Sequence, residues 1–375
     1  MSNKTPLDFQ LNTQLGIKKF SLSKFLRDPL LVLSLFSILV FGLFVLYSAS
    51  GQSINMVFKQ SIYIVIGLIL MFIISRLDQS VYKSFLMHLF WVGLFLLIWV
   101  LILPAEGYEV NRWISLGFIS FQPSEILRLF LPLAVVSYLT RKQMNPTYKD
   151  WTVVILAICI SSFLIFQQPD ASTSLIVFAS GLIPVFLAGF PLSVLFGSLI
   201  LITALSPFIW TSLKLYQQQR IISFFNPDSD PLGAGWNIAQ SKTAIGSGGL
   251  TGKGYLSGTQ SQLDFIPESH SDFIFSVLAE EFGFIGITLL VLFYGFILFR
   301  VFSIAFTADT EFSRLAVSSI GFIFLIYILV NISMVVGVLP VVGVPLPLIS
   351  QGGTSILVHL MAFGFVLSMK KGQTW

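Results

Sequence analysis

Residues 30–48 read LLVLSLFSILVFGLFVLYS, a run without a single charged side chain. A helix needs about 20 mostly apolar residues to cross the hydrocarbon core of a bilayer. This run is therefore long enough to span a membrane. The residues before it, 1–28, are too long and too polar to begin a cleavable signal peptide, so we expect a permanent N-terminal segment followed by a membrane helix.

The composition of the 375-residue chain also indicates a protein that lies in lipid. Hydrophobic residues make up 55% of it and charged residues only 10%, whereas a soluble domain is about 25% charged. So little charge leaves too little polar surface to cover a globule in water, which excludes a soluble protein. The single cysteine, Cys159, cannot form an internal disulfide or a cysteine metal cluster.

Nine further stretches are long and mostly apolar, and the fourth span departs most from the first because it carries Glu125 and Arg128. The run 173–210 is too long for one span, and Gly189-Phe190-Pro191 is the natural place for it to turn back. The sequence therefore predicts an all-α polytopic membrane protein of about ten transmembrane helices. After residues 30–48, the predicted spans are 55–75, 84–103, 122–140, 151–167, 172–190, 191–212, 272–300, 313–337 and 352–369.

The lysines and arginines of the loops predict the orientation, because cytoplasmic loops carry an excess of both. With the N-terminus in the cytoplasm, the outer loops 49–54 and 338–351 carry no charge, and ten spans return the C-terminus to the cytoplasm. The cations that this orientation places on the cytoplasmic side are Lys4, Lys18, Lys19, Lys24, Arg27, Arg76, Lys83, Arg141, Lys142, Lys149, Arg300, Arg314, Lys370 and Lys371.

The predicted organisation is a cytoplasmic N-terminal segment, residues 1–28, and a membrane domain, residues 29–375. A large extracytoplasmic loop, residues 213–271, joins spans 7 and 8. Long loops in compact proteins are usually functional or disordered. Because aromatic and aliphatic residues occur throughout this one, we expect it to be ordered and packed on the membrane domain.

Charged side chains stand at the outer ends of the fourth and sixth predicted spans. Glu125 and Arg128 lie three residues apart on one helix face, close enough to pair. Charges inside a span are costly unless paired, and they often mark a site. Two interpretations stay open: a structural ion pair between helices, or an ion pair lining an outward-open cavity together with Arg112. Asp170 likewise has two open interpretations, as a helix cap or as a site residue.

The large loop contains a glycine-rich stretch, GSGGLTGKG, at residues 246–254. Glycines followed by Lys253 resemble a phosphate cradle, because bare backbone N–H groups can approach an anion. The order of residues does not match a P-loop, since Gly254 follows the lysine. A phosphate site and a flexible surface loop therefore both remain as interpretations.

Glu268, His270 and Asp272 alternate just before the predicted eighth span. A carboxylate at residue 272 can simply favour the positive end of a helix. Beside an apolar wall it can instead be partly desolvated and tuned as a general base. Zinc binding by the three side chains is disfavoured, because their spacing matches no standard site.

The uncharged loop 345–355, PLPLISQGGTS, contains two prolines and two glycines. We expect a re-entrant turn over a cavity, because irregular backbone at membrane depth is tolerated only against protein or water. Its polar residues Ser350 and Gln351 are candidates for the cavity wall.

These motifs, in this order, resemble the SEDS family (shape, elongation, division and sporulation) over nearly the whole chain from about residue 29. The most specific blocks are FQPSE at 121–125, DPLGAGWNIAQSKTAIGSGGL at 230–250, GKGYLSGTQSQLDFIPESHSDFIF at 252–275 and PLPLISQGGTS at 345–355. The GTQSQL stretch, which includes Gln260, favours the elongation branch over division relatives. Two residues depart from the usual family pattern: Arg128 stands where lysine is usual, and Ser172 where glycine is usual.

The resemblance implies a peptidoglycan glycosyltransferase that polymerises lipid II, a disaccharide-pentapeptide on undecaprenyl diphosphate, at the outer face of the cytoplasmic (inner) membrane. Asp272 matches the family's essential aspartate and would be the general base. Glu125 and Arg128 match the family's conserved pair and would shape the cavity. The further candidates for binding substrate are Arg112, Arg220, Lys242, Lys253, Gln260, Glu268, His270, Ser350 and Gln351. Of these, Arg220, Lys242 and Lys253 are the candidates for the diphosphate, with a divalent cation such as Mg²⁺ left open.

The resemblance also implies partners: a class B penicillin-binding protein with transpeptidase activity, and other proteins of the elongation complex. No nucleic acid is expected. Three alternatives stay open: a lipid II flippase, a scaffold that only anchors a partner, and the division or sporulation role of a paralogue. The clustering of charged motifs at the predicted outer face argues against the flippase, which needs a path to the cytoplasm.

Overall fold

The computed structural model describes residues 28–103, 112–115, 120–141, 146–213, 215–225, 234–263 and 265–370. These ranges contain thirteen helices and one short hairpin. The helices are α1 (Pro29–Ala49), α2 (Ile54–Arg76), α3 (Gln79–Ile102), α4 (Pro123–Thr140), α5 (Tyr148–Gln167), α6 (Ala171–Leu187), α7 (Leu192–Ser212), α8 (Leu215–Phe225), α9 (Ala234–Gly248), α10 (Thr259–Gln262), α11 (Ile274–Phe306), α12 (Glu311–Val335) and α13 (Gly353–Ser368).

The hairpin pairs β1 (Ile114–Ser115) with β2 (Ser120–Phe121) in antiparallel register. It is the one departure from the predicted all-α architecture within the described residues. Its second strand leads directly into Gln122, the residue that caps the start of α4. The hairpin therefore helps to set where the charged fourth helix begins.

Seven of the helices are long and apolar enough to cross a membrane: α1 to α5, α11 and α12. Two shorter apolar helices, α6 and α13, fall on the predicted spans 172–190 and 352–369, and α7 falls on 191–212. A multi-pass helical membrane protein is therefore confirmed. The count of ten spans and their orientation remain predictions.

Helix α4 lies at the centre of the bundle, packed by α3, α6, α12 and α13. Within its spanning window 78% of the residues are buried, against 22% for α2. Protein therefore surrounds α4 on most of its surface. This explains how a helix that carries Glu125 and Arg128 can stand in an otherwise apolar bundle.

The described part of the large loop is folded onto the bundle. Helix α9 packs on α11 and α12. Its residues Ile238 and Ala244 are buried, and the Ser241 hydroxyl donates to the carbonyl of Val335 over 3.1 Å. These contacts position the chain between α9 and α11, which carries five of the predicted site residues: Lys253, Gln260, Glu268, His270 and Asp272.

Candidate functional site

A cavity of about 860 Å³ opens beside the start of α4. Its wall comes from the N-terminal halves of α2 and α6, from α8, from Asp272 and from two connecting segments after α12. The charged residues in the wall, among those the structure describes, are Lys59, Arg112, Glu125, Arg128, Asp170 and Asp272. The structure thus brings five of the predicted site residues into one cavity: Arg112, Glu125, Arg128, Asp272 and Gln351.

Asp272 is half-buried in this wall. It lies one residue before Phe273, which is the N-cap of α11 and makes no side-chain cap bond. Asp272 is therefore not itself the N-cap residue, but it still lies at the N-terminal, positive end of α11. A Cβ atom added at Gly343 would lie 3.4 Å from one Asp272 carboxylate oxygen, so the carboxylate faces the segment after α12.

Arg128 is almost fully buried and contacts several polar groups at once. Its guanidinium lies 3.9 Å from the Glu125 carboxylate, one helical turn earlier. One of its nitrogens donates to the Ser355 hydroxyl over 3.1 Å and lies 3.3 Å from Nδ1 of His359. The pair therefore joins α4 to α13 and also lines the cavity; that the cavity opens outwards stays a prediction.

A second charged group joins the hairpin to α6. The Arg112 guanidinium lies 3.6 Å from the Asp170 carboxylate, and its Nε donates to the carbonyl of Gln168 over 3.1 Å. Asp170 also caps α6, because its other oxygen accepts from the backbone N–H of Thr173 over 3.1 Å. Asp170 therefore fixes the position of Arg112, whose side chain is 30% exposed towards the cavity.

The residues Lys253 and Gln260, predicted as substrate contacts, lie away from the cavity wall. The buried Glu280 carboxylate accepts from the Lys253 ammonium over 2.7 Å and from the backbone N–H of Gln260 over 3.1 Å. It also accepts from the backbone N–H of Thr259 over 2.8 Å. Lys253 is thus engaged in an ion pair that fastens the chain after α9 to α11.

The glycine-rich stretch 246–254 lies against α11 and does not form the phosphate cradle. Its N–H groups at Lys253 and Gly254 donate to the carbonyls of Glu280 and Glu281, each over 3.0 Å. A Cβ atom at Gly252 (φ +80°) would lie 2.0 Å from the Glu281 carbonyl oxygen. The glycines therefore permit close backbone contact with α11, which kinks there at Gly283 (φ 61°, ψ −159°).

Four other predicted residues, Glu268, Lys242, His270 and Ser350, do not line the cavity. Glu268 is exposed and accepts from the Ser271 hydroxyl over 2.6 Å. Lys242 is exposed on α9. The remaining two, His270 and Ser350, lie beside lining residues, whereas Gln351 does line the cavity.

Two predictions cannot be placed fully on the described residues. Arg220 belongs to α8, whose residues Gln217 and Ile221 line the cavity, but its own side chain lies outside the described part of the structure. For the metal, the described residues contain no group of three histidine, cysteine or acidic side chains that could hold an ion. A role for Mg²⁺ stays a prediction.

The sequence reasoning missed Lys59, an exposed lysine in the cavity wall near the start of α2. It was detectable, because Lys59 is the only charged residue within the predicted span 55–75. It also missed Gln60 and Tyr327, polar side chains of the wall that occur in apolar helices without any motif.

Comparison with known proteins identifies the family. The family model for FtsW, RodA and SpoVE, described as "Cell cycle protein", matches residues 29–374. Peptidoglycan glycosyltransferase MrdB of Escherichia coli (strain K12) is 42% identical over 353 residues, which are 94% of this chain and 95% of the relative. Stage V sporulation protein E of Bacillus subtilis (strain 168) is 36% identical, over 92% of this chain and 97% of the relative.

Solved structures agree in fold. A chain of the structure described as "Structural coordination of polymerization and crosslinking by a peptidoglycan synthase complex" superposes with a TM-score of 0.78 at 30% identity, covering 90% of this chain and 96% of that one. The rod shape determining protein RodA of Thermus thermophilus superposes with a TM-score of 0.67 at 27% identity, covering 90% and 94%. The resemblance seen in the motifs is confirmed, and the chain belongs to the FtsW/RodA/SpoVE family.

Proposed function

We propose that this protein is a peptidoglycan glycosyltransferase that polymerises lipid II at the outer face of the cytoplasmic membrane. One observation carries the proposal: the Asp272 carboxylate and the cations Lys59 and Arg112 line the same cavity. The volume of that cavity, about 860 Å³, lies within the range of roughly 300–1,000 Å³ that ligand sites occupy. A relative named peptidoglycan glycosyltransferase at 42% identity supports the reaction class.

In the proposed reaction, Asp272 takes the proton from the 4-hydroxyl of the acceptor sugar. The hydroxyl oxygen forms a bond to the anomeric carbon of the donor as the bond from that carbon to the lipid diphosphate breaks. The diphosphate leaves with the electron pair. A single displacement of this kind inverts the anomeric carbon and needs no glycosyl-enzyme. A positioned general base contributes roughly 10²–10⁴-fold to such a step.

The leaving diphosphate needs cations that reach the cavity with their side chains at least partly exposed. Lys59 is exposed and can turn towards an anion, whereas Arg112, with a side chain 30% exposed, is held by Asp170 and presents its guanidinium from a fixed place in the wall. Arg128 is buried against Glu125, Ser355 and His359, which suits it to shaping the wall. This assignment replaces Lys253, which does not line the cavity and whose ammonium is paired with the buried Glu280.

The lipid tail of the substrate needs an apolar edge that continues from the cavity into the membrane. Leu175, Leu213 and Ile221 belong to the cavity wall, and Leu175 is 67% exposed on the outside of the bundle. These side chains offer an exit for the lipid between α6 and α8. A transpeptidase of the penicillin-binding class is the proposed partner, consistent with the peptidoglycan synthase complex that contains a similar chain.

The test is glycan synthesis from lipid II by the purified protein in detergent, with and without Mg²⁺. Wild type should form glycan chains, and Asp272→Asn should lower kcat by roughly 10²–10⁴-fold. The control, Glu311→Gln, removes an acidic side chain that is half exposed and paired with Arg314, and should match wild type. Detergent leaves no barrier to cross, so a flippase makes no glycan in this assay. Full activity in the Asp272→Asn variant would refute the general base.

A further inference from the structure

The chain just before α11 is held by the re-entrant segment, which we define as residues 345–352. The backbone N–H of Gln351 donates to the carbonyl of His270 over 3.0 Å. The hydroxyl of Ser350 donates to the carbonyl of Ser271 over 2.6 Å. Two consecutive peptide groups are therefore fixed by residues far along the sequence, with a separation of 79 residues for the second bond.

The next carbonyl in the chain, that of Asp272 itself, has a donor from α12. The side-chain amide of Asn331 donates to it over 2.9 Å, and the same nitrogen donates to the carbonyl of Val344 over 2.6 Å. Asn331 is fully buried. Asn331 thus ties the backbone of Asp272 to the segment after α12. Gly343 belongs to this segment, and the Asp272 carboxylate faces it.

The re-entrant segment is itself anchored, so it can act as a fixed support. The Gln60 amide of α2 donates to the carbonyl of Ser350 over 2.9 Å. The Tyr294 hydroxyl of α11 donates to the carbonyl of Pro347 over 2.6 Å. Within the segment, the backbone N–H of Leu346 donates to the Ser350 hydroxyl over 2.8 Å. The Ser350 hydroxyl is therefore engaged on both sides, as donor and as acceptor.

These hydrogen bonds fix the backbone around Asp272, where the local chain has no regular secondary structure. Residues 265–273 form turns and irregular backbone, and α11 begins only at Ile274, so no helical ladder fixes Asp272. Ser350 is 2% exposed, so water cannot replace its bond to Ser271 without opening the wall. Displacing a reacting group by about 1 Å can cost a factor of roughly 10² in rate.

We propose that Asn331 and Ser350 are positioning residues that, with the backbone N–H of Gln351, form a clamp on the three carbonyls of residues 270–272. The clamp holds the Asp272 carboxylate at a fixed place in the cavity wall. This inference rests on the proposed function, since it assigns a task to the general base. It replaces the prediction that Ser350 contacts substrate, because the hydroxyl already has two partners inside the protein.

The test compares Ser350→Ala and Asn331→Ala with wild type in glycan synthesis from lipid II. Each variant should lower kcat about tenfold or more, with KM within about twofold of wild type, because the groups that bind the substrate are untouched. The matched control is Ser34→Ala. It removes another buried hydroxyl, which donates to the carbonyl of Leu31 over 2.8 Å on α1, and should leave both constants unchanged.

Hydrogen exchange gives a readout that does not depend on activity. Peptides that cover residues 268–275 should exchange faster in Ser350→Ala than in wild type, while peptides from α4 should not change. Unchanged exchange there, or a kcat equal to wild type, would overturn the clamp. A raised KM with unchanged kcat would also overturn it, since it would make Ser350 a substrate contact. Failure of wild type to make glycan would instead refute the proposed function, and the exchange result would still test the clamp.

Discussion

The guanidinium carbon of Arg128 lies 4.5 Å from the centroid of the Tyr327 ring, in the wall of the cavity. Arginine can stack on a ring and bond through several nitrogens in one plane, whereas lysine offers a single ammonium. The arginine here reaches Ser355 and His359 of α13 as well as Glu125 of its own helix. The departure from the lysine usual in the family therefore comes with a set of contacts that suits a guanidinium.

We predict that His359 matters only through Arg128. His359→Leu should lower glycan synthesis about fivefold, the equivalent of about 1 kcal/mol for one lost contact. In an Arg128→Lys background, the same substitution should have almost no further effect, because the ammonium no longer reaches the ring. The rates of the four proteins form a double-mutant cycle that measures this coupling.

The control for that cycle is His88→Leu. The Nδ1 atom of His88 lies 3.1 Å from the carbonyl oxygen four residues earlier, as that of His359 does at 2.7 Å. His88 is exposed on α3 and lies beside Phe85, whereas His359 contacts Arg128, so the loss of His88 should not change the rate. Equal losses from His359→Leu in both backgrounds would contradict a role through Arg128.

A second prediction compares Lys59, a lysine that the structure places in the cavity wall, with Lys242, a diphosphate candidate from the sequence. Lys59→Met should raise KM for lipid II about tenfold, since a hydrogen bond to a charged group contributes about 1.5 kcal/mol or more. Lys242→Met should leave KM close to wild type, because Lys242 is exposed on α9 and does not line the cavity. Steady-state kinetics at a fixed salt concentration measure the KM of both variants. A larger effect at residue 242 would restore the earlier assignment.

The membrane helices could be predicted from sequence because an apolar run long enough to cross a bilayer has few alternatives to a membrane helix. Residues 30–48 became Pro29–Ala49, and 122–140 became Pro123–Thr140. The Glu125–Arg128 pair could be predicted for a similar reason, since two charges one turn apart in a helix are neighbours whatever surrounds them.

The partners of loop residues could not be predicted in this way. Lys253 looked like a phosphate ligand beside its glycines, but its partner Glu280 lies 27 residues later in the chain. Only the fold of the connecting turns decides that these two meet. Asn331 carries no local signal either, because an asparagine in an apolar helix reveals nothing about which carbonyls it will reach.

The Glu280–Lys253 pair gives a prediction about stability. Glu280→Gln should lower the free energy of unfolding by about 3 kcal/mol, because it removes one partner of an ion pair whose carboxylate is fully buried. Lys253→Met should cost a similar amount, and the double variant should cost less than the sum. Thermal unfolding in detergent measures these changes.

The matched control is the Glu311–Arg314 pair, which has a similar separation, 2.6 Å against 2.7 Å, but side chains that are half exposed. Exposed pairs contribute about 0–1 kcal/mol, so Glu311→Gln should barely change the unfolding temperature. Equal effects of the two substitutions would show that burial of Glu280 does not govern its contribution.

The last prediction concerns Asp28, immediately before α1. Its fully buried carboxylate accepts from the Arg300 guanidinium over 2.5 Å and from the Lys370 ammonium over 3.2 Å, and it caps α1 through the backbone N–H of Leu31. Burial alone would raise the pKa of this carboxyl. The donors from Arg300, Leu31 and Lys370 outweigh burial, so the pKa of Asp28 lies below its ordinary value.

A lowered pKa in the folded state stabilises the protein wherever the carboxyl is ionised in both states, which is above about pH 4. The contribution is lost as the pH falls from there through the lowered pKa. Asp28→Asn should therefore be less stable than wild type by about 2 kcal/mol at neutral pH, and the gap should shrink in acid. Thermal unfolding between about pH 7 and 3 measures the gap. Asp78→Asn is the control, because Asp78 precedes α3 without a side-chain cap bond; a gap for Asp28→Asn that stays constant with pH would contradict the ionic role.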